Sequence, residues 1–100
     1  PGPRGSAAGV AAGGAFFVFG GESHVSAALG DLWALSTATG RWSAVTGAGR
    51  PGIDDGSSEA ETPPPRRGAT LALWRGTVLV LFGGAAADGT LLSDVWAIDI

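Results

Sequence analysis

An internal repeat is the feature that most constrains what this chain can fold into. A shift of 63 positions carries one Phe-Gly-Gly triplet onto another and one Asp-apolar-Trp triplet onto another, without a gap. The residues so paired are Phe19, Gly20, Gly21, Asp31 and Trp33 with Phe82, Gly83, Gly84, Asp94 and Trp96. The same shift pairs Arg4 with Arg67 and Gly5 with Gly68. A chain that repeats one pattern in this way folds as two copies of one supersecondary unit.

Short β-strand patterns fill each copy of the repeat. In chain order they are SAAGVA, AFFVF, DLWAL and RWSAV in the first copy, then ATLALW, TVLVLF and DVWAIDI in the second. Two-residue turns at Gly13-Gly14 and Arg75-Gly76 join the first two strands of each copy. With 18 Gly and 6 Pro among 100 residues, windows long enough for a helix are interrupted throughout. The sequence therefore predicts an all-β protein of two four-stranded antiparallel blades, the second lacking its last strand.

The glycine pairs and the tryptophans suggest how the two units pack. A Gly-Gly pair after a buried strand permits positive φ and the close approach of a neighbouring element. We expect the Trp of the next strand to fill that space. Asp31 and Trp33 stand at positions i and i+2, so they share one face of a strand. The Asp carboxylate is then placed to cap nearby backbone donors while the indole packs.

These residues together resemble the kelch-repeat family of β-propellers. The resemblance rests on the double glycine after an apolar strand, the Asp-apolar-Trp strand about ten residues later, Trp42 after TATGR, and an Arg that opens each repeat. No Tyr stands beside the glycines, and the second repeat ends before a counterpart of Trp42. The resemblance implies two propeller blades whose neighbours are other blades of the same chain, and we expect the sequence to be part of a longer one.

The repeat spacing exceeds the roughly 50 residues of a kelch repeat, and an acidic, Gly/Ser/Pro-rich stretch accounts for the excess. We expect blade 1 over residues 1–46, an inter-blade insertion over 47–63 and an incomplete blade 2 over 64–100. The insertion has a composition that does not bury itself. Within it, Ser58 and Thr62 are candidate phosphorylation sites.

Charge and composition narrow the classes of partner. The net charge is −3, with six Arg and no Lys, and this distribution argues against a nucleic-acid partner. The absence of Cys removes disulfides and thiolate ligands. Apolar runs such as VLVLF are too short to cross a membrane as a helix. We expect a soluble protein without cofactor or metal, the cytoplasm being the favoured compartment.

Blade topology predicts where a partner would bind. In an up-and-down blade the loop between strands two and three lies at the same end as the connection between blades. The loops 22–30 and 85–93 and the Arg residues that open each repeat should therefore share one face. Candidate contacts are Arg4, His24, Arg66 and Arg67. Arg4 and Arg67 are also candidates for a structural capping role, while Arg66 is expected to face solvent.

Chemistry at this face has little support from the sequence. His24 follows Glu22 and Ser23, but sequence neighbours do not make a catalytic triad, and a metal site needs three or four convergent ligands. We therefore expect a non-catalytic protein-interaction module. The resemblance implies that a peptide partner binds such loops around the central channel of the propeller. The alternative is the propeller of a multidomain enzyme, for example a kelch-containing phosphatase or an oxidase, with the active site outside this segment.

Overall fold

Eight short β-strands form two antiparallel sheets in the computed structural model, which describes residues 1–45, 49–51 and 63–100. The strands are β1 (Ala8–Ala12), β2 (Ala15–Phe19), β3 (Leu32–Ser36), β4 (Trp42–Ala44), β5 (Gly49–Pro51), β6 (Thr70–Trp74), β7 (Val78–Phe82) and β8 (Val95–Asp99). The described residues contain no helix. The prediction of an all-β fold with two blades is confirmed, and none of the described residues belongs to a helix able to cross a membrane.

The first sheet has the strand order β1-β2-β3-β4 and the second has β5-β8-β7-β6. Residues 46–48 and 52–62, which hold Ser58, Thr62 and most of the predicted insertion, lie outside the described residues. The strand Gly49–Pro51 comes from the stretch predicted as an insertion. It pairs with the edge of β8, where Pro51 stands opposite Trp96 as Ala44 stands opposite Trp33 in the first sheet. The outer place of the second sheet is thus taken by residues that precede β6 in the chain.

The structure shows that the ungapped alignment of the two repeats is wrong by one residue up to the end of the first strand of each blade. β2 and β3 lie 63 positions from β7 and β8, but β1 lies 62 positions from β6. The left-handed residue Ser6 (φ 53°) accordingly matches Gly68 (φ 68°), not Ala69. The extra residue is in the turn between the first two strands, which spans two residues in blade 1 and three in blade 2. The predicted pairing of Arg4 with Arg67 and of Gly5 with Gly68 is therefore wrong.

A single buried cluster joins the two sheets. Its members come from both blades and are Ala8, Ala12, Phe17, Phe19, Leu32, Leu71, Leu79, Leu81, Trp96 and Ile98. Residues directly opposite on neighbouring strands share a sheet face, as Phe19 does with Leu32 and Leu81 with Trp96. One face of blade 1 therefore packs against one face of blade 2, and each blade has a second face that points away from this junction.

Candidate functional site

An Arg–Asp–Trp cluster fixes the start of each blade. In blade 1 the Arg4 guanidinium donates to both carboxylate oxygens of Asp31, at 2.7 and 3.0 Å, and to the Gly20 carbonyl at 3.0 Å. The indole Nε1 of Trp33 donates to Asp31 Oδ2 at 2.6 Å. Arg4 and Asp31 thus form a bidentate pair, the geometry in which guanidinium–carboxylate bonding is strongest. The main partners of the Asp31 carboxylate are thus an Arg guanidinium and an indole N–H, neither of which the sequence analysis assigns to it.

Blade 2 repeats this cluster with Arg66. Its guanidinium donates to Asp94 at 2.6 and 2.7 Å and to the Gly83 carbonyl at 3.0 Å, and the Trp96 indole donates to Asp94 at 2.7 Å. The Arg66 side chain is 0% exposed. The prediction that Arg66 faces solvent is wrong, because the Pro64–Arg66 stretch enters the junction between the blades. A buried Arg whose polar groups are all bonded is a structural clasp and has no exposed surface for a partner.

The carboxylates of both clusters remain ionised to low pH. The Arg4 guanidinium, with a smaller contribution from the Trp33 indole N–H, lowers the pKa of Asp31 to about 2. The same bonds from Arg66 and Trp96 lower the pKa of Asp94 to about 2. Desolvation opposes both shifts but is the weaker influence. Both ion pairs are therefore intact across the physiological pH range.

The glycine pairs make room for backbone, not for tryptophan. A Cβ on Gly20 would lie 2.5 Å from the Arg66 carbonyl oxygen and 2.9 Å from that of Leu29. A Cβ on Gly21 would lie 2.6 Å from the Gly5 carbonyl oxygen. The expectation that a Trp ring fills this space is wrong. Here the backbone of blade 2 passes against blade 1, with Gly21 N–H donating to Arg66 C=O at 2.9 Å and Arg66 N–H donating to Leu29 C=O at 3.0 Å.

The two post-glycine loops and the second Arg of blade 2 meet on one face of the molecule. Arg67 Nη1 donates to the Ala27 carbonyl at 2.8 Å, and its Nε lies 3.9 Å from a Glu22 carboxylate oxygen. Residues of both loops also line an open groove of about 550 Å³, whose walls include Ser6, Glu22, Arg67, Phe82, Leu91 and Leu92. The sequence-based expectation that these loops gather at one end is thus matched by their positions.

His24 lies at the tip of a short hairpin on this face. Ser23 and Ser26 exchange backbone hydrogen bonds at 2.9 and 3.3 Å, and the Ser23 hydroxyl accepts a bond from Ser26 N–H at 3.2 Å. His24 is exposed, and the neighbouring Val25 is 83% exposed. Sequence reasoning missed Val25 because an isolated apolar residue in a loop carries no periodic signal. Among the described residues, no three acidic, His or Cys side chains are grouped as a metal site would require.

Of the four predicted contact residues, the structure leaves two on the exposed face. Arg4 and Arg66 each bind an Asp within their own blade, whereas His24 and Arg67 lie on the face formed by the loops 22–30 and 85–93, here called the loop face. The remaining motif residue, Trp42, is 41% exposed at the outer strand of blade 1 and stands opposite Leu35. The loop face therefore consists of His24 and Val25 at its tip and the Glu22–Arg67 pair at its base.

Comparison with known proteins places the repeat in one family. Residues 3–47 match the family described as the Kelch motif. The chain is 34% identical over 87 residues to an F-box/kelch-repeat protein of Arabidopsis thaliana, a match that covers 83% of this chain and 16% of that protein. It is 36% identical over 84 residues to the tRNA wybutosine-synthesizing protein 4 of Emericella nidulans, a match that covers 83% of this chain and 7% of that protein. The chain thus spans a small part of the length of both relatives.

Proposed function

Because this chain belongs to the kelch-repeat family, we propose that it is a non-catalytic protein-interaction module whose partner binds the loop face. Kelch repeats typically mediate protein–protein contacts. The observation that carries the proposal is the Ser23–Ser26 hairpin, which holds two exposed residues, one of them apolar, at the end of a rigid blade. Binding residues are commonly found on loops that a rigid scaffold positions.

Contacts from blade 2 hold the loop that carries His24. Arg67 of blade 2 donates to the backbone of the 22–30 loop of blade 1, so the junction between blades also fixes the loop that carries His24. Leu29, at the end of this loop, is bridged to Arg66. A loop held in this way loses little conformational entropy on binding, which favours affinity.

The exposed groups define the chemistry of a suitable partner. Val25 offers an apolar contact, and His24 offers ring nitrogens for hydrogen bonds. The Glu22–Arg67 pair is partly exposed and separated by 3.9 Å, so each member has bonding capacity left for groups of opposite charge. A protein surface with a small apolar pocket bordered by polar groups of mixed charge fits this arrangement.

Quantitative affinity capture tests the proposal. The immobilised chain and its His24→Ala/Val25→Ser variant are exposed to the same cell extract, and bound proteins are quantified by mass spectrometry. Ala38→Ser, at an exposed turn on the opposite end of blade 1, is the matched control. We expect at least one protein to be recovered equally by the wild type and the control but about tenfold less by the double variant, roughly the loss that follows removal of one significant interface contact. Equal recovery by all three chains, or specific recovery by none, would contradict the proposal.

A second candidate function is the propeller portion of a larger enzyme. The similarity to a protein named for tRNA wybutosine synthesis favours it, although the match covers only 7% of that protein. Under this alternative, the loop face would bind the enzyme's own catalytic domain or its substrate. Sequencing the complete coding region distinguishes the two, since a catalytic domain beside the repeats supports the enzyme and its absence supports the free-standing module.

A further inference from the structure

Three polar side chains at the base of the loop face stand at positions where the repeat requires no side chain. They are Ser6, Glu22 and Arg67, and their counterparts in the other blade are Gly68, Ala85 and Gly5. Glu22 forms a backbone bridge with Gly5, and Arg67 forms the same bridge with Ala85, with N–H···O distances of 2.8 or 2.9 Å in both. Because glycine and alanine complete this bridge equally well, the fold needs neither the carboxylate of Glu22 nor the guanidinium of Arg67 for it.

Ser6 has a backbone conformation that a serine rarely adopts. Its φ is +53°, and its counterpart Gly68 has a φ of +68°. This region strains a residue with a Cβ, whereas glycine adopts it freely. The Ser6 carbonyl accepts a bond from Gly68 N–H at 2.8 Å, which a glycine at position 6 would accept equally. The strain therefore has no structural return, and strain of this kind is typical of functional sites.

The three side chains converge between the two blades. Ser6 Oγ donates to Glu22 Oε1 at 3.4 Å, and Arg67 Nε lies 3.9 Å from Glu22 Oε2. All three side chains also line the same groove. Ser6 and Glu22 belong to blade 1 and Arg67 belongs to blade 2, so this Ser6–Glu22–Arg67 cluster is formed at the junction within the chain and not on the faces that point away from it.

Glu22 and Arg67 balance each other's charge without satisfying each other's hydrogen bonds. Their separation of 3.9 Å is longer than a hydrogen bond, and the two side chains are 45% and 29% exposed. A carboxylate only accepts hydrogen bonds and a guanidinium only donates them. Within the described residues, Glu22 accepts only the long bond from Ser6, and Arg67 donates one bond, to the Ala27 carbonyl. The cluster therefore presents an acceptor beside a donor, with no net charge.

A neutral amide fits this arrangement better than a charged group does. A carboxylate or an ammonium of a partner would meet one opposite charge and one like charge at similar distances. An amide has no net charge and carries both an N–H for Glu22 and a C=O for Arg67. A side-chain carboxamide holds both groups on one carbon. One residue of an extended strand also presents its N–H and C=O at the same edge.

We propose that the Ser6–Glu22–Arg67 cluster is the specificity site of the loop face and binds an amide of the partner protein. The amide N–H donates to Glu22, Arg67 donates to the amide C=O, and the Ser6 hydroxyl bonds to either group. The amide is the side chain of an Asn or Gln or the main chain of an extended segment. This inference rests on the proposed function, because it names the chemistry that the loop face recognises beside His24 and Val25.

Substitution by the counterpart residues of the other blade tests the site without removing anything that the repeat requires. Ser6→Gly/Glu22→Ala is the cluster variant. It should unfold at the same temperature as the wild type or a higher one, because glycine relieves the strain at position 6. Asp88→Asn is the matched control, since it removes one negative charge from the same face and keeps the oxygen that accepts the Thr90 N–H bond.

The probe is a library of random peptides displayed on phage and selected on the wild type. The selected peptides are then synthesised, and fluorescence polarisation measures their dissociation constants. We expect equal binding to the wild type and to Asp88→Asn, and binding weaker by about tenfold or more to the cluster variant, as loss of a hydrogen bond to a charged group causes. Equal binding to the wild type and the cluster variant would overturn the proposal.

Changes in the peptides identify the group that is bound. A shared Asn or Gln whose replacement by Asp or Glu abolishes binding supports the side-chain carboxamide. Loss of binding on N-methylation of one peptide bond, without a shared side chain, supports the main-chain amide. A shared charged residue whose removal abolishes binding would contradict an amide ligand.

The His24→Ala/Val25→Ser variant separates this inference from the proposed function. Peptides that bind it weakly but bind the cluster variant like the wild type would overturn the amide site and leave the loop face as the binding surface. Peptides that bind both variants like the wild type, or a library from which none binds the wild type, would contradict the proposed function as well.

Discussion

Arg66 Nη1 lies 2.6 Å from Asp94 Oδ1, and the guanidinium that makes this contact is completely buried between two blades. The backbone of the same residue bonds to Gly21 and Leu29 of the preceding blade. Arg66 therefore joins the start of one blade to the end of a strand in the other. The adjacent Arg67 instead fixes the loop face, where it bonds to Ala27. Of these two consecutive arginines, Arg66 thus stabilises the junction and Arg67 stabilises the proposed binding surface.

The glycine pairs predict different sensitivities in the two blades. Gly20→Ala introduces a Cβ that collides with the Arg66 carbonyl oxygen at a φ of +67°, whereas Gly83→Ala at a φ of +71° meets nothing closer than 3.5 Å. Positive φ alone costs about 1–2 kcal/mol for a non-glycine residue, so both variants lose that much and Gly20→Ala loses more. Urea titrations at one fixed protein concentration measure the difference. Equal losses would show that the close backbone approach is absent.

Acid should weaken the fold through the two aspartates. Asp31 and Asp94 have folded-state pKa values of about 2, below the ordinary value of 3.8. Their contribution to stability is therefore complete above pH about 4 and is lost as the pH falls from there through about 2. The free energy of unfolding of the wild type should fall over this window. An Asp31→Asn/Asp94→Asn variant should be less stable at neutral pH and show a flatter pH dependence, and an unchanged slope would mean that other carboxylates cause the acid sensitivity.

The two repeat tryptophans should differ in their contribution to stability. Trp96 is buried at the junction, whereas Trp33 lies on the face of blade 1 that points away from the junction and is only partly buried. Trp96→Ala should cost about 3–5 kcal/mol, as truncation of a large aromatic in a core does, and Trp33→Ala clearly less. Chemical denaturation of the two variants checks the order. A larger loss for Trp33→Ala would indicate that the face of blade 1 that points away from the junction is covered.

Seven of the eight strands could be predicted from the sequence because apolar runs and glycine turns mark each one, but β5 could not, since it lies in the stretch predicted as an insertion. The correct start of the second repeat could not, since Arg66 and Arg67 are adjacent and an ungapped match selects the wrong one. The only signal was indirect: Pro3-Arg4 resembles Pro65-Arg66, and the Arg-to-glycine separation is 16 residues in one blade and 17 in the other. The extra turn residue that absorbs this difference is visible only when strand lengths are known.

The role of the glycines and of the loop tip also required the structure. Positive φ at Gly20 and Gly21 could be expected from their sequence context, but the element that approaches them could not, because it comes from the next blade. The exposure of Val25 depends on mutual hydrogen bonds between Ser23 and Ser26, which no periodic pattern reveals. Contacts between residues distant in sequence decide both features.

The most direct test of this account compares Arg66→Ala with Arg67→Ala in denaturant unfolding. Removing Arg66 leaves Asp94 and the Gly83 carbonyl without their buried partner, so the loss should be about 2–3 kcal/mol, less than for a fully buried pair because the Asp94 side chain is 38% exposed. Removing Arg67 breaks a partly exposed contact and should cost about 1 kcal/mol or less. This order of effects supports Arg66 as the clasp of blade 2, which holds in place the backbone that bonds to blade 1. The reverse order, or equal losses, would contradict the one-residue offset of the repeats and the junction built on it.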